Sequence, residues 1–82
     1  MKIKNNISIS NSGFVFNPSN GETFSVNPIG NEIINLMKEG KFQEDIRSII
    51  LDKYYTEKNS FENDYYDFIN MLNIFDLVEE YE

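Results

Sequence analysis

The sequence predicts an α+β fold, a three-stranded antiparallel sheet followed by three helices, on three observations. Apolar residues recur at every second position as far as Val26, and at every third or fourth position from Pro28 onward. The change of period falls at Asn27-Pro28, a helix-start signal. The period-two region is itself divided by two glycine-bearing turns. With 82 residues, 40% of them hydrophobic and 15% aromatic, the chain supports one small core, so residues 1–82 read as a single domain with its core over about 7–79.

The strands come first. Ile7 and Ile9 alternate with Ser8 and Ser10, Asn11-Ser12-Gly13 offers a turn, and Phe14 and Phe16 follow on one face of a second strand. In Asn17-Pro18-Ser19-Asn20-Gly21, proline fixes φ early and Asn-Gly accepts positive φ at the end, which makes a second turn. The third strand, Glu22 to Val26, puts Phe24 and Val26 on one face and Thr23 and Ser25 on the other. Periodicity assigns Phe14, Phe16 and Phe24 to the core, with Phe61, Phe68 and Leu72 from later in the chain.

The helices follow. Asn27 is a good N-cap because its side-chain oxygen can accept an orphan N–H of the first turn, and Pro28 is already set to helical φ. Ile29, Ile33, Leu36 and Met37 form the apolar stripe of the first helix, which Gly40 closes. Phe42, Ile46, Ile49, Ile50 and Tyr54 repeat the spacing in a second helix ending near Tyr55. Thr56-Glu57-Lys58-Asn59 then links to Ser60, a third N-cap. In the third helix Phe61, Tyr65, Phe68, Leu72 and Phe75 make one stripe, and Tyr66 and Ile69, with Glu62 and Asn73 at the ends, make a second row roughly 100° around. Leu77 and Val78 form an apolar tail that folds back on the core.

Three strands and then three helices suggest a compact domain of the winged-helix kind. Its third strand has neither Pro nor Lys to guard the outer edge, so the edge from Glu22 to Val26 is open to another strand. Tyr65, Tyr66 and Ile69 admit two readings beside it, a rim that seals the core or anchors for a bound peptide.

Composition removes most chemistry. There is no Cys and no His, hence no thiol nucleophile, no disulfide framework and neither of the commonest zinc ligands. Asp64 and Asp67 are spaced as a solvated helix face, calcium-loop spacing is absent, and the four glycines never form a phosphate-cradling loop. The chain is expected to be no enzyme, with no catalytic residue, metal site or cofactor. Net charge is -7, and it is uneven: residues 1–42 carry four cations and three acids, whereas residues 43–82 carry three cations and eleven acids. No Lys or Arg stands between Ser60 and Glu82, which opposes a phosphate backbone and suits a basic peptide. No run of apolar residues is long enough for a membrane span or a signal region, so a cytoplasmic protein without membrane contact is expected.

Order and spacing then carry a resemblance. The runs Ser12-Gly13-Phe14-Val15-Phe16-Asn17-Pro18, Gly21-Glu22-Thr23-Phe24-Ser25-Val26-Asn27-Pro28-Ile29-Gly30 and Ile33-Ile34-Asn35-Leu36-Met37-Lys38-Glu39-Gly40 are similar to the PqqD-like family, the precursor-peptide recognition elements of ribosomally made, post-translationally modified peptides. Ile46, Ile49, Tyr54-Tyr55, Asp64, Phe68, Leu72 and Leu77-Val78 extend the likeness over most of the chain. One departure is Asp76, where the family often has Gly before the final Leu; Asp tolerates left-handed φ, so the turn is expected to survive. Another is Ile29-Gly30, in place of small or hydroxyl residues.

The resemblance implies a peptide chaperone. Such a domain receives the leader segment of a precursor peptide as an antiparallel strand added to its third strand, beside the third helix. It presents the leader to a modifying enzyme such as a radical SAM enzyme, a cyclodehydratase, an ATP-grasp ligase or a leader peptidase. Carried onto this sequence, the edge is Glu22, Thr23, Phe24, Ser25 and Val26, and the wall is Tyr65, Tyr66 and Ile69 with Glu62 and Asn73. Two other readings stand beside it. A winged-helix DNA-binding or regulatory module is opposed by the acidic third helix, and a homodimeric assembly domain would use the free edge on itself, so a monomer or weak homodimer is expected.

Overall fold

The computed structural model describes residues 2–54 and 58–80. In chain order the elements are β1 (Lys2–Ile3), β2 (Ser8–Ile9), β3 (Phe14–Asn17), β4 (Glu22–Ser25), α1 (Pro28–Lys38), α2 (Gln43–Tyr54), α3 (Lys58–Ile74) and β5 (Val78–Glu79). The three-stranded antiparallel sheet has the order β2-β3-β4, and the expected α+β arrangement is the one observed. A second sheet was not foreseen. It pairs the two ends of the chain, with Lys2 opposite Glu79 and Ile3 opposite Val78. Each of these strands is two residues long and its partner lies at the other end of the chain, a pairing that local pattern does not reveal.

The sheet also corrects the face assigned to the second strand of the meander. Phe14 and Phe16 do share a face, but it is the outer one, and they are 56% and 41% exposed while Val15 between them is fully buried. Phe-Val-Phe is apolar on both faces, so its own pattern cannot choose. The neighbours choose: Val15 lies opposite both Ile9 and Phe24, whose flanking residues are all Ser or Thr. Turning Phe14 and Phe16 inward would bury those hydroxyls. At the β2–β3 turn, Gly13 takes φ 91, and a Cβ there would meet the Val26 carbonyl oxygen at 2.5 Å. Only glycine permits both the left-handed backbone and that close approach.

The first helix starts and stops as its sequence predicts. The Asn27 side chain accepts from the Gly30 N–H at 2.7 Å, and the chain leaves α1 with Gly40 donating to Met37 O and Lys41 to Leu36 O, the paired bonds of a Schellman motif. Buried Asn31 donates to the carbonyls of Ser10 and Asn11, both at 3.1 Å, and so fastens α1 to the β2–β3 turn. Phe42 is not on the buried stripe of α2; it precedes the helix, where side chains do not follow the helical period, and is 66% exposed. The core takes Ile46 and Ile50 instead, with Ile33, Ile34, Met37, Phe61, Tyr65 and Leu72 from the other helices.

Helix α3 begins at Lys58, two residues before the expected cap at Ser60, a displacement within the usual latitude of helix ends. Tyr55, the expected end of the second helix, and Thr56 and Glu57 of the expected link lie outside the described residues. At the far end Asp76 takes φ 59 as expected, with Asp76 N–H bonded to Asn73 O and Leu77 N–H to Leu72 O. A second Schellman motif thus forms with aspartate in the left-handed position and turns Leu77 and Val78 into the core. Among the described residues, no helix is long and apolar enough to cross a membrane.

Candidate functional site

Strand β4 lies at the edge of its sheet, and hydrogen-bond parity fixes which of its backbone groups are free. Val26 donates to Gly13 O at 2.8 Å, and the register runs Phe14 to Ser25, Val15 to Phe24, Phe16 to Thr23. Bonded and non-bonded pairs alternate along an antiparallel ladder, so Phe24 and Val26 turn their N–H and C=O groups to β3. Those of Thr23 and Ser25 therefore point at the open edge.

An aromatic wall stands on the inner side of this edge. The Phe24 ring stacks on Phe75, just beyond α3, with centroids 5.0 Å apart and planes 26° from parallel. Where β4 runs into α1, Phe68 packs so closely on Gly30 that a Cβ there would meet the ring at 3.0 Å. Phe68 lines a pocket of about 320 Å³ with Asn27, Ile29, Gly30, Phe61 and the exposed Asp64 among its other walls. Edge, stacked rings and pocket together make a trough with backbone donors and acceptors on one side and apolar surface on the other.

The structure does not gather all the expected site residues there. Glu22, Thr23, Phe24, Ser25 and Val26 form the edge and its continuation into α1. Of the expected wall, Tyr65 alone reaches this region. Tyr66 and Ile69 line a different pocket with Met37, Phe42 and Ile46, at the corner between α1 and α2, whereas buried Tyr65 lines both that pocket and the one beside Phe68. Glu62 is held by Arg47 of α2 at 3.0 Å, and the Asn73 side chain donates to Ile69 O of its own helix.

The physical reason is rotational. At 100° per residue, Tyr66 and Phe75 lie on opposite sides of α3, roughly 180° apart. Once the stripe of Phe61, Tyr65 and Leu72 is buried, the helix has two flanks, and the flank toward β4 carries Phe68 and Phe75. The sequence displays both flanks but not which of them meets the sheet. Periodicity assigns Phe68 to the core and Phe75 to the same stripe; the partial exposure of both is visible only in the fold.

Comparison with known proteins adds to this geometry. The sequence profile of the family described as coenzyme PQQ synthesis protein D (PqqD) matches residues 13–78. No curated protein matches the sequence. Among solved structures, TbiB1 in complex with the TbiA(beta) leader peptide superposes with a TM-score of 0.86 at 27% identity, over 100% of this chain and 99% of that one. With the profile covering β3 through β5, and a relative of the same shape over its full length, the chain belongs to the PqqD family.

Proposed function

We propose that this protein binds the leader segment of a ribosomally synthesised precursor peptide as an antiparallel strand added to β4, and presents it to a modifying enzyme. The observation that carries the reading is the open edge, where Thr23 and Ser25 turn backbone groups outward beside the stacked Phe24 and Phe75. The leader complex of the similar TbiB1 supports it. Main-chain bonds to Thr23 and Ser25 would give affinity that tolerates sequence variation. Side chains facing inward would enter the trough of Phe24, Phe68 and Phe75, in which Tyr65 keeps its place beside Phe68 while Tyr66, Ile69, Glu62 and Asn73 give up theirs. An interface of about 1,000–1,500 Å² is the expected scale. The modifying enzyme is one of the classes that act on such leaders: a radical SAM enzyme, a cyclodehydratase, an ATP-grasp ligase or a leader peptidase.

The test is a titration of the labelled chain with the leader encoded beside its gene. Amides of residues 22–26, Phe68 and Phe75 are expected to shift together. Ser25→Pro removes an outward donor from the edge and is expected to weaken binding at least about 100-fold with the helical circular dichroism retained. Undiminished affinity in the folded variant would sink strand addition.

A further inference from the structure

We propose that the outer face of the sheet, formed by Phe14 and Phe16 across from Ser25 and Thr23, is a second half of the leader-binding surface, selecting uncharged apolar residues at alternate leader positions. The inference rests on the strand addition proposed above and goes on to the chemistry of the leader itself.

Backbone geometry forces the placement. In antiparallel addition, a residue that exchanges hydrogen bonds with Thr23 or Ser25 lies directly opposite it and shares its face. That face is the outer one, because Val15 and Phe24 occupy the inner one. Two leader side chains, two positions apart, are thereby set into the rows Phe16–Thr23 and Phe14–Ser25.

The rows are shaped to receive them. The incoming strand would lie about 4.8 Å from β4 and about 9.6 Å from β3. Between them stand only the short side chains of Thr23 and Ser25, so a long apolar side chain on one side and a phenylalanine ring on the other can lean across and meet. Phe14 and Phe16 are 56% and 41% exposed in the free chain. No charged side chain stands in either row, although 26% of the chain is charged. A charged leader residue there would lose hydration without finding a counter-ion, whereas an apolar one would cover both rings.

A displayed library of twelve-residue peptides, panned against the full chain and sorted for clones lost on Ser25→Pro, reads the preference directly. Positions whose preference depends on Phe75 face inward, and the alternate positions face outward. The outward positions are expected to be enriched in aliphatic or aromatic residues and depleted of Asp, Glu, Lys and Arg. That enrichment is expected to vanish against a Phe14→Thr, Phe16→Thr double variant, to which a selected peptide binds about three- to tenfold more weakly, the size of two cross-strand pairs. Replacing the two outward peptide residues by Ser should give the same loss on the unaltered chain, a readout that does not depend on the variant folding.

Outward positions without preference, or equal affinity for the chain and its folded double variant, overturn the proposal. So does a double variant that only converts a dimer to a monomer, since the face would then belong to a second copy. A library without any clone sensitive to Ser25→Pro overturns the strand-addition reading itself, and this proposal with it.

Discussion

Glu32 shows what a single residue contributes here. On α1, its carboxylate accepts from Lys53 Nζ at 2.8 Å and from the Tyr54 hydroxyl at 2.6 Å, both on α2, and so ties the two helices. The hydrogen bond from Lys53, then the one from Tyr54, hold the Glu32 carboxyl below the ordinary glutamate range against the opposing effect of burial. The same bonds raise the pKa of Lys53 and Tyr54. For a carboxyl lowered by folding, the contribution to stability is present above its unfolded value of about 4.3 and is lost as pH falls through the folded value. Urea midpoints of the chain and of Glu32→Gln should therefore differ at pH 7, converge below about pH 4, and coincide once the carboxyl is protonated. A gap that persists at pH 2 would mean that the tie acts through packing rather than charge. None of this was legible in the sequence, where Glu32 is a polar position on one helix and Tyr54 a member of the apolar stripe of another. Asn27 and Asp76 were legible, because capping and left-handed turns depend only on residues nearby in the chain.

At the scale of elements, β1 and β5 form a clasp that holds the end of α3. Ile3 is buried opposite Val78, Lys4 N–H donates to Leu77 O at 2.9 Å, and Lys4 Nζ meets Asp76 at 2.9 Å. Phe75 immediately precedes these residues and stacks on the sheet-edge Phe24. The clasp thus fixes the lower end of the trough, although β1 lies outside the residues that the family profile matches. Ile3→Ala is expected to lower unfolding free energy by about 2 kcal/mol, at the low end for a buried isoleucine because a terminal strand can relax. Hydrogen exchange should quicken first at the Lys4 and Leu77 amides and spare those of β3. Uniform acceleration across the chain would show that the clasp is part of the global unfolding unit instead.

At the scale of the whole molecule, charge governs which partners are admitted. Three of the seven cations stand in residues 43–82 beside eleven acids, and of those three Arg47 pairs with Glu62 and Lys53 with Glu32. Fluorescence anisotropy with a labelled 20-base-pair duplex is expected to show no binding at micromolar protein in 50 mM salt, because few cations remain to displace condensed counter-ions. A saturable, salt-sensitive rise would revive the DNA-binding reading.

Sequence alone determined the local decisions: the order of the three meander strands and the three helices, the caps at Asn27 and Gly40, the turns, and an unguarded β4. Each of these depends on residues a few positions apart, whose φ preferences and hydrogen-bonding groups act over one turn of chain. The tertiary structure decided the facing. It chose Val15 over Phe14 and Phe16 through the strands on either side, and it turned Phe68 and Phe75 rather than Tyr66 toward the open edge. A strand or helix that is apolar on two sides carries no information about which side is inward; only the surfaces that pack against it supply that.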